Sequence, residues 1–210
     1  MNKVEITNFA LSSLGEAPIQ SLEDNNARAR ICKARVDDVI RSVLRMHNWN
    51  GALQRKLLTR GVDPVFGFNY SYQLPSDFIK GVEIHPQARY RIEKNSLLCN
   101  EAEVYLLYIA EPTDITTLDS LLAEAIAMKL AVEIAETITS KDNLKNEMMQ
   151  KFIIALQEAR SANSKDNIPE HRERSTFLDA KLGRDAQKHR TFNTPTIGYA
   201  VDQQAWLTKA

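Results

Sequence analysis

Residues 45–54, RMHNWNGALQ, hold the densest group of residue types that could do chemistry. Trp49 could stack against a sugar ring, with the asparagines beside it as a hydrogen-bonding rim. Gly51 and the same asparagines also suit the end of a helix, because they tolerate left-handed backbone conformations. The apolar periodicity changes here from helix-like to strand-like. The sequence therefore favours Trp49 and Gly51 as a structural corner over a hydrolytic or sugar-binding site.

Other constellations of reactive residues are no stronger. Asp77 with Glu83 could be nominated as a glycosidase pair, but with 27 Asp+Glu many such pairs exist. Cys32 and Cys99 have no CxxC partner; the two thiols could form one disulfide, but we expect both to be reduced and buried. The four histidines lack metal-ligand spacing, and no phosphate-binding or dinucleotide fingerprint is present. We expect no catalytic residue, no cofactor and no metal site, so the protein is not predicted to be an enzyme.

The charge balance limits the classes of partner. The 27 Lys+Arg equal the 27 Asp+Glu, which argues against a tight, sequence-independent grip on nucleic acid. A basic helix that includes Arg41 and Arg45 leaves a local DNA contact as an alternative. Glu5 interrupts the N-terminal segment, and four charged residues interrupt 121–138. We therefore expect neither a signal peptide nor a membrane span, and synthesis in the cytoplasm.

The pattern of the first 48 residues predicts two helices. Asn2 and Glu5 have the spacing of a capping box, and Gly15 suits a left-handed helix end. A second helix should begin at residues 24–26. Its predicted buried face repeats at spacings of three and four and comprises Cys32, Val36, Val39, Ile40 and Val43.

Residues 49–112 differ from the preceding segment in composition. They contain four of the seven glycines, four of the seven prolines and nine of the fifteen aromatic residues. Short apolar runs (YSYQL, FIKGVEI, RYRIE, EVYLLYI) alternate with turn-like segments (GVDP, LPSD, HPQ, KNS). This pattern predicts short antiparallel strands inserted between helices.

Helices return in residues 113–162, of which 117–162 contain no Gly or Pro. Thr116 with Asp119 is predicted to cap the third helix, which should end near Thr139, and Asp142 to cap the fourth. Alanines in the third helix allow close approach of its neighbours and predict a central position. The predicted architecture is α+β: a four-helix bundle (1–48 and 113–162), an inserted antiparallel β-rich subdomain (49–112) and an extended C-terminal arm (163–210).

The arm is too polar to form a core of its own. Residues 165–190 carry seven Lys/Arg and five Asp/Glu, and the following segment has few charges. Left free, a segment of this composition is expected to be disordered. Phe192, Tyr199 and Trp206 are isolated hydrophobic residues there, so we expect them to anchor the arm to a portal or a neighbouring subunit.

Four sequence blocks, in this order, resemble the tail tubular protein A family of short-tailed bacteriophages, the head-to-tail adaptors or gatekeepers. They are LSSLGEAPIQSLED, RMHNWNGALQRKLL, YSYQLPSDFIKG and LLYIAEPTDITTLDSLLAEAIAMKLAVEIAETIT, within residues 5–162. The resemblance implies a structural, non-enzymatic virion protein at the head–tail junction. It implies a homo-oligomeric ring, a dodecamer, beneath the portal protein, with the nozzle (tail tubular protein B) below and tail fibres docking nearby. DNA would pass through the channel without specific binding, and no membrane partner is implied.

Two hypotheses from other classes compete with the adaptor. A virion-associated polysaccharide or cell-wall hydrolase would need a convergent carboxylate pair. A small DNA-binding protein would use the arginines of the second helix, and its binding should be sensitive to salt.

Overall fold

Polar side chains set the ends of the first two helices. A computed structural model describes residues 1–139 and 142–166. Helix α1, Lys3–Ser13, begins at a complete capping box, in which Asn2 Oδ1 accepts from the Glu5 amide and the Glu5 carboxylate accepts from the Asn2 amide, both at 2.9 Å. Gly15 follows α1 with φ +76°. Helix α2, Ala27–Met46, begins after Asn26, whose side chain accepts from the Ala29 amide at 2.7 Å. These three predictions of helix ends are confirmed.

Helices α3, Ser120–Thr139, and α4, Asp142–Lys165, follow the strands. The predicted end of α3 is confirmed, but the predicted role of Thr116 is wrong. Thr116 lies in a separate 3₁₀ turn, Ile115–Thr117, where its amide and hydroxyl donate to Asp114. Asp119 alone caps α3, accepting from the Leu121 amide at 2.9 Å. Asp114 is only two residues before Thr116, so the two residues bond locally and form a turn that is separate from α3.

Helix α3 is the central helix of the described region, because it packs against α1, α2 and α4. Its alanines let the three neighbours approach closely. The predicted buried face of α2 is confirmed, and α3 is buried on more than one side because it has neighbours on several sides. The fully buried residues of α3 include Ala123, Ala125, Ile126, Ala127, Leu130, Ala131, Ile134 and Ala135.

Seven strands form two antiparallel sheets between α2 and α3. Sheet A has the strand order β1–β7–β4, and sheet B has the order β2–β3–β6–β5. The strands are β1 Leu53–Leu57, β2 Thr59–Arg60, β3 Tyr70–Gln73, β4 Phe78–His85, β5 Tyr90–Glu93, β6 Ser96–Cys99 and β7 Tyr105–Ala110. The mixed α+β class with four helices among the described residues is therefore established.

The alternation of side chains along β7 produces the layers. Ile109 faces the helices and belongs to the same hydrophobic core as Trp49 and the buried faces of α1–α4. Leu106 and Tyr108 point the other way and form a second core with Tyr72 and Leu97 of sheet B. Sheet A therefore lies between the helices and sheet B, and the inserted strands share the helical core.

Three of the seven strands were missed by the pattern. In β1, LQRKL, four of the five residues are exposed, so the strand carries little apolar signal. Strand β2 has only two residues. Strand β6 begins at Ser96, inside the segment interpreted as a turn, because Lys94 with φ +52° reverses the chain within two residues.

No helix in the described ranges is long and apolar enough to cross a membrane. The arm predicted at 163–210 lies almost entirely outside the described residues, which end at 166.

Candidate functional site

The corner between α2 and β1 is the first candidate site. After α2 ends at Met46, His47 is extended, and residues Asn50–Ala52 form a 3₁₀ turn that leads into β1. Trp49 is 2% exposed, and its indole Nε1 donates to the Val43 carbonyl at 3.1 Å. A side chain this deeply buried has no face free for stacking on a sugar. The structure therefore places Trp49 in a packed junction, whereas Gly51 is exposed in the 3₁₀ turn and does not use the left-handed conformation that was expected of it.

Asn163, in the last turn of α4, holds this corner from the other side. Its Oδ1 accepts from the Asn50 amide at 2.8 Å, and its carbonyl accepts from Asn50 Nδ2 at 3.0 Å. Its Nδ2 donates to the Asn48 carbonyl at 3.1 Å and lies 3.3 Å from His47 Nε2. The residue where the predicted arm begins is thus hydrogen-bonded to the corner 113 or more positions earlier in the chain.

His47 is partly buried and packs edge-on against Trp49, with ring centroids 4.9 Å apart. Burial lowers the pKa of His47 below its ordinary value, and the nearby positive charges of Arg160 and Lys80 lower it further. Lys80 in turn donates to Asn48 Oδ1 at 2.9 Å. The surroundings favour a neutral imidazole whose Nε2 accepts the Asn163 amide hydrogen.

Asp77 and Glu83, considered above as a glycosidase pair, have different hydrogen-bond partners. Asp77 accepts a hydrogen bond from the Tyr108 hydroxyl at 3.2 Å, and Glu83 accepts one from Gln87 Nε2 at 3.0 Å. Burial, followed by the charge of Asp77, raises the pKa of Tyr108 to about 12. The Tyr108–Asp77 contact ties the middle of β7 to the start of β4, which is a structural use of both groups.

The arginines of α2 considered for DNA contacts also have partners within the chain. Arg41 Nε lies 2.9 Å from the Glu111 carboxylate, which raises the pKa of Arg41. Arg45 donates to the Ile79 carbonyl at 2.6 Å. These two contacts join α2 to β4 and to the segment after β7. Both side chains therefore help to hold the helices against sheet A.

The β2–β3 loop, residues 61–69, exposes apolar side chains, although the sequence pattern predicted only a turn at its first four residues, GVDP. Val62 is 91% exposed, Val65 99% and Phe66 87%. The available signal was the occurrence of two valines and two phenylalanines within the Gly/Pro-containing segment GVDPVFGFN. Isolated exposed hydrophobic residues are common, but several on one short loop indicate a contact surface.

Helix α4 carries a second exposed apolar surface. Met148 and Phe152 point into the core, whereas Met149, Ile153 and Ile154 are 39%, 47% and 56% exposed. Met149 and Ile153 are four residues apart and lie on the same helix face. The sequence MMQKFIIAL contains more apolar residues than one buried face requires, and this excess was the missed signal.

A third surface lies at the end of sheet A that is far from the helices. A groove of about 400 Å³ is lined there by residues of β1, β4 and β7, namely Arg55, Glu83, Ile84, His85, Tyr105, Leu106 and Leu107. Tyr105 is 46% exposed, and Leu57, opposite it on β1, is 50% exposed.

No group of three or more His, Cys, Asp and Glu side chains within 1–139 and 142–166 could hold a metal ion. The predicted partner-binding residues Phe192, Tyr199 and Trp206 lie outside the described residues. The candidate functional features of the described part of the chain are the three exposed apolar surfaces. No protein-family model matches this chain, and no curated protein matches it.

Proposed function

We propose that this chain is a structural virion protein that forms a head-to-tail adaptor ring in a short-tailed bacteriophage. The ring would join the portal to the tail nozzle and form part of the DNA-ejection channel. The proposal starts from the sequence resemblance within residues 5–162. Its finer architecture is a four-helix bundle with a β-rich insertion at 49–112 and an extended arm at 163–210.

The observation that carries the proposal is the presence of three separate exposed apolar surfaces on one chain. They are the β2–β3 loop with Phe66, the groove beside Tyr105, and the outer face of α4 with Ile153. Copies in a closed ring meet through two different faces, so each copy needs at least two such surfaces. A third surface remains for the nozzle, the portal or the tail fibres.

The arm supplies attachment to the portal or to a neighbouring subunit. Burial of Phe192, Tyr199 and Trp206 would contribute about 1.5–3 kcal/mol for each side chain. Repetition around a dodecamer would make the attachment effectively permanent, because all arms must release together. The hydrogen bonds between Asn163 and the corner support a defined starting point for the arm.

The charges of the chain support passage of DNA without specific binding. The formal net charge is zero, and Arg41 and Arg45 of α2 are engaged within the chain. Neutralisation of many phosphates by a channel wall would hold the DNA and slow its exit. The proposed location is the virion, after synthesis in the host cytoplasm.

The test is a native mass measurement of the full chain, alone and with its portal protein. We expect a ring on the portal, and we expect a chain ending at residue 166 to stay folded but to dock poorly. The shortened chain keeps Asn163 and all of α4, so a loss of docking is attributable to the arm. If it joins portals as well as the full chain does, the arm assignment is wrong. If neither chain joins a portal, the adaptor proposal is wrong.

A further inference from the structure

The β2–β3 loop is held in one conformation although its tip is exposed. Arg60 Nη2 and Nε contact the two carboxylate oxygens of Asp63 at 2.7 and 3.2 Å, and the Arg60 guanidinium lies 4.4 Å from the centre of the Tyr70 ring. The Gly61 amide donates to the Ser71 carbonyl at 2.7 Å. Gly67 has φ +90°, a conformation that side chains rarely adopt.

These contacts order the loop before any partner binds. The bidentate contact with Arg60 lowers the pKa of Asp63, which stays ionised and paired. Val65 and Phe66, 99% and 87% exposed, then lie between two anchored strand ends and carry no charge. A loop ordered before contact loses little conformational entropy when it binds.

The receiving surface is the groove at the far end of sheet A. Along the helix-facing side of β7, Ile109 is buried by the helices, whereas Tyr105 is 46% exposed. The side chains of Leu107 and Tyr105 share that side, and Leu57 is paired directly opposite Tyr105. The sheet therefore extends beyond the helices and leaves an apolar floor uncovered.

The rim of the groove carries charges of both signs. Arg55 and Glu83 both lie opposite Leu107 in the sheet, one on each neighbouring strand, and His85 lies opposite Tyr105. An uncharged tip such as Val65–Phe66 meets no net repulsion there. The volume of about 400 Å³ is sufficient for the ring of Phe66 with Val65 beside it.

The loop does not fill the groove of its own chain, because Val62, Val65 and Phe66 are all at least 87% exposed. We propose that the β2–β3 loop of one copy inserts Val65 and Phe66 into the groove at the end of sheet A of the next copy. This inference rests on the proposed ring and identifies one of its subunit contacts. Loop and groove are different surfaces of the same chain, so the contact is heterologous and can repeat around a ring.

Site-directed cross-linking of the full-length chain tests this contact. Val62→Cys places a thiol beside the inserting tip, and Arg55→Cys places one at the groove rim, so both variants keep Val65, Phe66 and the apolar floor. The two native cysteines are fully buried and should not react. The variants are mixed, treated with a short bismaleimide linker and separated under denaturing conditions.

We expect a cross-linked dimer in the mixture that is at least tenfold more abundant than in either variant alone. The matched control is Val62→Cys mixed with Asn25→Cys, whose thiol is exposed on the α1–α2 connection. A mixture that gives no more dimer than this control overturns the contact. Each variant carries one introduced thiol, so a cross-link between two introduced thiols must join two different chains.

A second variant separates this contact from the adaptor function. Phe66→Ser should weaken self-association at least tenfold, measured by sedimentation, while the fold keeps its wild-type circular dichroism. If the wild type forms rings and Phe66→Ser forms them equally well, the contact is wrong and the adaptor proposal stands. If Phe66→Ser weakens binding to the portal or nozzle alone, the loop belongs to that partner and the contact between copies is also overturned.

Discussion

Replacement of Trp49 by alanine distinguishes a packed corner from a ligand site. Trp49 is 2% exposed and donates its indole hydrogen to Val43 in the last turn of α2. Truncation of a buried aromatic side chain to alanine costs about 3–5 kcal/mol, because packing is lost and a cavity remains. The Val43 carbonyl also loses its side-chain donor. We therefore expect the Trp49→Ala protein to be about 3–5 kcal/mol less stable than the wild type.

Urea unfolding followed by circular dichroism at 222 nm measures this loss. With a denaturant dependence of about 2 kcal/mol per M, the midpoint should fall by about 1.5–2.5 M. Tryptophan fluorescence is unsuitable, because Trp49 is one of two tryptophans in the chain.

The matched control is Phe66→Ala, measured like Trp49→Ala on the monomeric chain, in which the Phe66 side chain is 87% exposed. Its stability should change by less than about 0.5 kcal/mol. A midpoint shift below about 0.5 M for Trp49→Ala would refute the packed corner, since an exposed stacking platform is lost at little cost to folding.

Three further outcomes follow from the same structure. Because the pKa of His47 is lowered from 6.5 in the folded chain, its contribution to stability is present above pH 6.5 and is lost as the pH falls below that value. Urea midpoints measured at pH 7.5 and 5.5 should therefore show a smaller pH dependence for His47→Gln than for the wild type, and equal dependences would contradict this. Asn163→Ala should cost about 1–3 kcal/mol by removing two or three hydrogen bonds. The control Ser164→Ala, whose hydroxyl donates to the Arg160 carbonyl within α4, should cost less than about 1 kcal/mol in the same assay, and equal losses would argue against the corner contact. Burial raises the pKa of Cys32 to about 11 and also raises that of Cys99, so the native chain should show no thiol that reacts rapidly with a chromogenic disulfide, and the unfolded chain two.

Local signals in the sequence determined most of the helical part of the fold. The Asn2–Glu5 box, the left-handed Gly15 and the start of α2 after Asn26 depend on residue types within three or four positions of each helix end. The buried face of α2 follows from helical periodicity, because its apolar residues recur every three or four positions. The change of apolar periodicity near Trp49 also located the switch from helix to strand.

Strand pairing and surface exposure required the tertiary structure. Strand β1 has four exposed residues out of five and exists because β7 supplies its hydrogen-bond partners from 48 or more positions away. A polar segment acquires strand structure in this way only when the partner strand is in place. The sequence could not show which of the three strands of sheet A would lie in the middle.

For the candidate contact surfaces too, some features follow from the sequence and others only from the tertiary structure. The sequence alone predicted a turn at GVDP and a fourth helix that begins near Asp142. Only the tertiary structure decided that Phe66 and Ile153 remain exposed, that Asn163 bonds to the corner, and that sheet A extends past the helices. Burial depends on which distant elements pack together, and neighbouring residues in the sequence do not contain that information.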